Sequence, residues 1–324
     1  MNERLAVVIP CYNEEEVLPI CIPTLRKALE ALIAKGKIAQ DSFMLFVNDG
    51  SKDRTWELLS EAHRENNDVA AICLAKNRGH QNALLAGLTV GKDHADILIS
   101  MDADLQDDMA AMEEMIDAYH NGAEIVYGVR SSRKKDSFFK RFTAEGFYRF
   151  MEHMGVETIY NHADYRLMSQ KAVMELCRYQ ETNLYLRGMI PLLGYKTDIV
   201  YYERHERAAG ESKYPLKKML PLAFNGISSF STKPISMILG LGLFVLFVCF
   251  CAAVYALVSY LSGNVEHGWT SIILSIWFLG GIQLLSIGII GEYIGKIYIE
   301  VKHRPKYNIE HLLPAGEEES TDEA

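Results

Sequence analysis

Short, uninterrupted apolar runs open this chain and recur along it. Each is followed by a polar segment and then by apolar positions spaced three or four residues apart. The runs are Leu5–Pro10, Phe43–Val47, Val69–Leu74, Ile97–Met101 and, with a leading acid, Glu124–Gly128. Runs this short and this rich in aliphatic and β-branched side chains predict strands buried on both faces. Helical spacing predicts helices ending near Ala34 and over 55–65, 77–88 and 109–121. Leu18, Leu25 and Leu29 set the first, with Glu14, Glu15 and Glu16 at its positive N-terminal end. Ser51 or Asp53 can cap the second. Ile199–Arg204 alternates as an edge strand does. Strand-then-helix alternation predicts an α/β domain with a mostly parallel sheet, whose ligands belong beyond the carboxyl ends of the strands.

The pattern then changes. No charged residue lies between Pro234 and Val265, nor, after Glu266 and His267, between Gly268 and Gly291. Each stretch exceeds the roughly 20 residues that span a bilayer, so a two-helix transmembrane domain is expected over 233–297. Lys213, Lys217, Lys218 and Lys233 precede it, Lys296, Lys302, Arg304 and Lys306 close it, and the connecting loop has no Lys or Arg. The positive-inside rule puts both termini in the cytoplasm of a multi-pass plasma (inner) membrane protein. No signal peptide is visible at the start. Tyr214–Thr232 reads as an amphipathic interfacial segment. Phe138–Met154, aromatic and basic, reads equally as core or as membrane surface. The expected divisions are 1–213, catalytic; 214–232, juxtamembrane; 233–297, membrane; and 298–324, a tail that is disordered at its acidic end. Gly240, Gly242, Gly280, Gly281, Gly288 and Gly291 permit close helix approach, hence a homo-oligomer.

Composition narrows the chemistry. A net charge of −9 excludes nucleic acid as the expected partner, and six scattered cysteines without a C-x-x-C pair read as reduced, structural thiols. No G-x-G-x-x-G follows the first strand and no Walker A motif occurs, which excludes a dinucleotide dehydrogenase or P-loop enzyme. Instead the run Ile97–Met101 ends in Asp102-Ala103-Asp104-Leu105-Gln106-Asp107. Side chains two apart on an extended segment point the same way. Asp102 and Asp104, with the Gln106 amide, suit a hard cation, Mg2+ or Mn2+, that keeps sites open for phosphate oxygens. Alone, the pair reads as a solvated acidic turn. Asp49 can accept from a nucleobase N–H or serve as a turn acid. Arg130 and Arg133, after the fifth run, are placed for phosphate charge, whereas Lys134 and Lys135 read as solvated surface. His162 reads as a satisfied loop histidine.

Val8-Ile9-Pro10-Cys11-Tyr12-Asn13-Glu14, Asn48-Asp49-Gly50-Ser51-Lys52-Asp53 and Asp102-Ala103-Asp104-Leu105-Gln106-Asp107 together resemble the family-2 glycosyltransferases. The likeness is to their polyprenyl-phosphate branch, which includes dolichol-phosphate mannose synthases and bacterial undecaprenyl-phosphate glucosyltransferases. It continues through Asn77-Arg78-Gly79-His80-Gln81-Asn82-Ala83, Tyr127–Arg133, Ala163–Met168 and Arg207–Tyr214. The resemblance implies a nucleotide-sugar-binding GT-A (Rossmann-like) domain followed by the interfacial helix and two spans. It implies a nucleotide-sugar site of Pro10, Tyr12, Asn13, Glu14, Asp49, Lys76, Arg78, Gln81, Asp102, Ala103, Asp104, Arg130, Arg207 and Lys213. It further implies metal ligands Asp102, Asp104 and Gln106, and acceptor-phosphate residues Arg133, Arg166 and Arg204. Asp104, Arg130 and Asp164 are the catalytic candidates, with Asp164 either a general base or a residue that orients Arg166 or the sugar. The implied reaction is inverting transfer of one sugar, glucose from UDP-glucose first among donors, to polyprenyl phosphate. GDP-mannose and UDP-N-acetylhexosamine stay open as donors, as does a non-catalytic scaffold. A processive polysaccharide synthase would carry a Q-x-x-R-W motif, which is absent.

Overall fold

The computed structural model describes residues 2–131, 162–181, 185–203, 233–262 and 268–316. The expected alternation is present as β1 (Leu5–Cys11), α1 (Leu18–Ala34), β2 (Phe43–Asn48), α2 (Thr55–Glu65), β3 (Val69–Leu74), α3 (His80–Gly91), β4 (Ile97–Ser100), α4 (Ala111–His120) and β5 (Ile125–Arg130). It continues through β6 (His162–Ser169), α5 (Gln170–Arg178), α6 (Leu186–Leu192), β7 (Thr197–Tyr202), α7 (Lys233–Leu261), α8 (Trp269–Val301) and β8 (Ile309–Leu313). The aromatic-basic stretch 138–154 and the juxtamembrane segment 214–232 lie outside the described residues.

The strands form one eight-stranded sheet in the order β7-β5-β6-β4-β1-β2-β3-β8. Pairs β1/β2, β1/β4, β2/β3 and β5/β7 are parallel; β4/β6, β5/β6 and β3/β8 are antiparallel. Six of the eight strands run the same way, as the alternation predicts, and β6 and β8 run against them, so the sheet is mixed. The difference lies in two strands that the apolar runs did not announce. β6 begins at His162, expected in a loop, and carries Asp164, Arg166 and Ser169, all buried, in place of an apolar run. β8 lies in the stretch assigned to the tail and pairs Ala71 with Leu313 and Cys73 with His311. The His311 ring stacks on Trp56 at 5.9 Å between centroids.

Burial on both faces explains why the central strands are apolar throughout. Leu5, Val7 and Ile9 of β1 join a core with Leu18, Leu25 and Leu29 of α1 and Met112, Met115 and Ile116 of α4. Helix α3 covers the opposite face, where a Cβ added at Gly87 would fall 2.4 Å from a Val8 methyl and 2.8 Å from a Val47 methyl. That close approach requires glycine.

The chain divides into two compact units, one of Met1–Tyr148, Glu157–Pro215 and Arg304–Ala324, the other of Arg149–Val156 and Leu216–His303. The second holds α7, 29 residues, and α8, 33 residues, at the positions expected for spans. Among the described residues, one helical segment, Phe278–Val301, is long and apolar enough to cross a membrane, with a mean hydropathy of 1.4.

Candidate active site

Strand β1 is flanked by β2 on one side and β4 on the other, both parallel to it. The strand order reverses there, and in such sheets the crevice beyond the strand ends is the ligand site. Hydrogen bonds join the loops after β1 and β2. Asn13, at φ 53°, donates its N–H to Ser51 Oγ at 2.9 Å, and its own Oδ1 accepts from the Lys52 N–H at 2.9 Å. The Glu14 N–H donates to Thr55 Oγ1 at 2.9 Å, and the Glu15 N–H to Asp53 Oδ2 at 3.1 Å. Of the two candidate caps, Asp53 engages the first turn of α2, accepting from the Thr55 N–H at 3.1 Å. Pro10 pairs with Val47 inside the sheet, and Tyr12 is exposed at the mouth.

Asp49 is buried, and both of its oxygens are engaged by backbone. Oδ1 accepts from the Arg78 N–H at 2.6 Å and Oδ2 from the Gly79 N–H at 2.9 Å. Burial raises its pKa, and these two bonds oppose the rise. The turn-acid role is thus filled, while each oxygen retains a second lone pair. Gly50, at φ 61°, makes this contact possible, since a Cβ there would meet the Asn77 nitrogen at 2.5 Å. Gln81 Oε1 accepts from the Leu186 N–H at 3.0 Å, so it ties the start of α6 to the start of α3. Lys76 is exposed.

The acidic loop after β4 is held at both ends. Leu105 takes φ 55°, a left-handed value that an unsupported leucine avoids; its side chain packs on the core. Asp104 Oδ1 accepts from the Gln106 N–H at 3.2 Å. Asp107 is buried, accepts from Tyr202 Oη at 2.5 Å and lies 3.7 Å from Arg130 Nη2. Burial lifts the Asp107 carboxyl to about 6, against the Tyr202 hydrogen bond. Tyr202 in turn packs edge-on against Tyr165, whose hydroxyl donates to the Asp108 carbonyl at 3.0 Å.

Antiparallel β4 and β6 bring the remaining acid in. Ser100 pairs with Arg166, so Asp102, two residues past it, comes opposite Asp164, two residues before Arg166. Asp164 is buried and crowded with cations. Arg166 Nη2 donates to its Oδ1; Arg187 Nε reaches the same oxygen at 3.2 Å and Arg187 Nη2 reaches Oδ2 at 3.0 Å. His80 Nε2 lies 3.4 Å from Asp164 Oδ2 and 3.7 Å from Asp102 Oδ1. Burial alone would raise Asp164, but Arg187, His80 and Arg166 together hold it well below the usual carboxylate range. Asp102 moves the other way. Burial raises its carboxyl, His80 opposes, and Asp164 and Asp104 add to the rise.

A divalent cation fits this donor set. The oxygens of Asp102 and Asp104 are hard ligands two residues apart, and the Asp102 side chain is 40% accessible. Among the described residues no group of three His, Cys, Asp or Glu side chains could hold an ion. The protein would supply one or two carboxylates and leave other positions to phosphate and water, which is how Mg2+ is commonly bound.

The structure brings Asp49, Asp102, Asp104, Gln106, Arg130, Asp164 and Arg166 to one edge of the sheet, where the parallel strands end. Arg133, Arg204, Arg207 and Lys213 lie outside the described residues. Three residues without a role in the sequence reading belong to the site: His80, Arg187 and Tyr202. The available signal was a single charge, Arg187, inside the apolar segment Leu186–Leu192.

Comparison with known proteins agrees with this architecture. The family model described as glycosyl transferase family 2 matches residues 6–177. An uncharacterized glycosyltransferase of Bacillus subtilis (strain 168), YkoT, is 54% identical over 94% of this chain and 91% of its own. The bactoprenol glucosyl transferase of Shigella phage SfV is 39% identical over 95% of this chain and 98% of its own. Among solved structures, the mannosyltransferase PcManGT from Pyrobaculum calidifontis, in complex with GDP-Man and Mn2+, aligns with a TM-score of 0.43 at 13% identity, covering 94% of this chain and 89% of that one. The matched region takes in every strand from β1 to β6 and the acidic loop between them, and with relatives this similar over nearly the whole length the conclusion is that this chain is a glycosyltransferase belonging to glycosyl transferase family 2.

Proposed function

We propose that this chain transfers a single sugar, glucose from UDP-glucose, to polyprenyl (undecaprenyl) phosphate at the cytoplasmic face of the membrane. The observation that carries the reading is the meeting, where β4 ends beside β6, of an accessible acid, Asp102, and a buried one, Asp164, held by Arg166 and Arg187. The first suits a metal-bound diphosphate and the second organises positive charge for a phosphate. Similarity over nearly the full length to a bactoprenol glucosyl transferase supports the acceptor.

A bound Mg2+ or Mn2+ would neutralise the donor diphosphate and make the nucleoside diphosphate a better leaving group. Asp102 and Asp104, with Gln106 beside them, are the residues assigned to hold it. The acceptor phosphate oxygen attacks the anomeric carbon as the bond to the diphosphate breaks, and UDP leaves with the electron pair, inverting that centre. A phosphate monoester has a second pKa of about 6, so the attacking oxygen is ionised at neutral pH and no proton need be removed. Asp164, already accepting from two guanidinium groups, is a positioning residue under this reading.

Helices α7 and α8 anchor the catalytic unit, as two spans with both termini cytoplasmic. Apolar side chains such as Phe244, Phe247, Phe278 and Leu284 stand exposed along them, which supports a lipid-facing surface. The glycines along these helices support association between copies.

The test is a panel of radiolabelled UDP-glucose, UDP-N-acetylglucosamine and GDP-mannose, each incubated with undecaprenyl phosphate and the purified chain. Lipid-linked label from UDP-glucose is expected. Label from GDP-mannose alone would replace the donor, and no lipid-linked label from any of them would defeat the reading.

A further inference from the structure

Arg187 has no assigned part in this reaction, yet its surroundings point to one. Its Nε and Nη2 make a two-pronged contact with the two oxygens of Asp164. A bidentate pair of this kind fixes the plane and direction of a guanidinium. Arg166 satisfies the same carboxylate from within and is sealed, with 1% of its side chain accessible, whereas the Arg187 side chain is 37% accessible. Of the two guanidiniums on Asp164, Arg187 is the open one and can reach a second partner.

Donor capacity in the cluster is also unspent. Among the described residues, the buried Arg166 Nε and Nη1 have no hydrogen-bond partner, and buried polar groups of native proteins rarely stay unmet. Two guanidiniums and His80 gathered on one carboxylate, beside acids suited to a metal, suit an anion at the open side of the cluster. The planar fork of arginine matches the oxygens of phosphate. The β4/β6 register places Asp164, and so Arg187, across from Asp102, where donor diphosphate and acceptor phosphate meet.

We propose that Arg187, aimed by Asp164, binds a phosphate oxygen of the substrates during transfer. The inference rests on the function proposed above and deepens it. Two sources share the chemistry: the donor diphosphate and the lipid monophosphate.

The test uses the full-length chain in mild detergent with Mn2+, comparing wild type, Arg187→Gln and Arg187→Lys. UDP affinity, KM for undecaprenyl phosphate and Tm are measured together. Losing a charge-assisted hydrogen bond raises one constant by roughly tenfold to a hundredfold. A rise in KM for the lipid phosphate with UDP affinity unchanged assigns Arg187 to the acceptor; weakened UDP affinity assigns it to the donor. Arg187→Lys keeps the charge without the fork and is expected to recover part of the loss. A lower Tm with both constants within twofold of wild type would reduce Arg187 to a brace for Asp164 and overturn the proposal. Should Arg187→Gln not fold, Arg187→Lys decides: a rise of about threefold or more is expected, and unchanged constants overturn it. Wild type that labels no lipid defeats the proposed function; active wild type with indifferent variants defeats this inference alone.

Discussion

Asp102, in the loop after β4, and Asp164, on β6, both meet His80, carry the same functional group, and have opposite fates. Asp164 is 7% accessible at its side chain and accepts from Arg166 and Arg187, with His80 alongside. Its carboxyl is held far down, ionised and saturated. Asp102 is 40% accessible at its side chain and meets the His80 ring at 3.7 Å. Environment, not residue type, divides the work between paired carboxyls. The open acid has charge left for a cation. The sealed one has no strong basicity left and directs the cations that hold it.

The largest expected effect is on the open side. Asp102→Asn or Asp104→Asn should lower kcat about a thousandfold, the scale of several kcal/mol of lost charge stabilisation, with Tm almost unchanged. Steady-state transfer and a thermal scan on the same preparations measure both. A fall in Tm matching the fall in activity would erase the contrast.

Next comes the sealed side, where stability should move. Asp164→Ala strands the buried Arg166 and should cost about 3–5 kcal/mol, lowering Tm by roughly 10 °C. An unchanged Tm would mean that Asp164 is not the structural partner described here. The pH dependence sharpens the same point. A carboxyl depressed in the fold stabilises it above the unfolded-state value of about 3.9, and that contribution is lost as pH falls through the folded-state value. Asp164→Asn should therefore lose less stability than wild type on acidification below about pH 4. Between about pH 5 and 8, transfer should show no rising limb that Asp164→Asn removes. Such a limb would restore the general-base role.

The smallest effect is expected at Tyr202→Phe. It removes the hydroxyl that donates to Asp107 and leaves Arg130 3.7 Å away. A loss of about 1–2 kcal/mol is expected, with Mn2+ affinity weakened a few-fold as the far end of the acidic loop loosens. Chemical denaturation and metal titration read the two. Unchanged values would detach Tyr202 from the loop.

Much of the first half of the fold was legible because its strands are buried on both faces and so spell continuous apolar runs. Strand β6 was not. It carries Asp164, Arg166 and Ser169, all buried, and these side chains break the continuous apolar run that marks a strand buried on both faces. Strand β8 was missed because its residues are mostly exposed at the sheet edge. Helix α3 was expected from Asn77 and begins at His80 because the Arg78 and Gly79 amides are taken by Asp49. In the site, the Asp102–Asp107 cluster announced itself by spacing. Arg187 and His80 did not, since only the β4/β6 register and the α3–α6 contact through Gln81 bring them to Asp164.

The most direct test of the metal-diphosphate reading is a chelation and add-back experiment on the purified full-length chain, following radiolabel from UDP-glucose into undecaprenyl phosphate. Label is expected to vanish with EDTA, return with Mn2+ or Mg2+ in wild type, and stay low at every metal concentration in Asp102→Asn. Transfer that proceeds equally in EDTA, or that Asp102→Asn leaves intact, would contradict it.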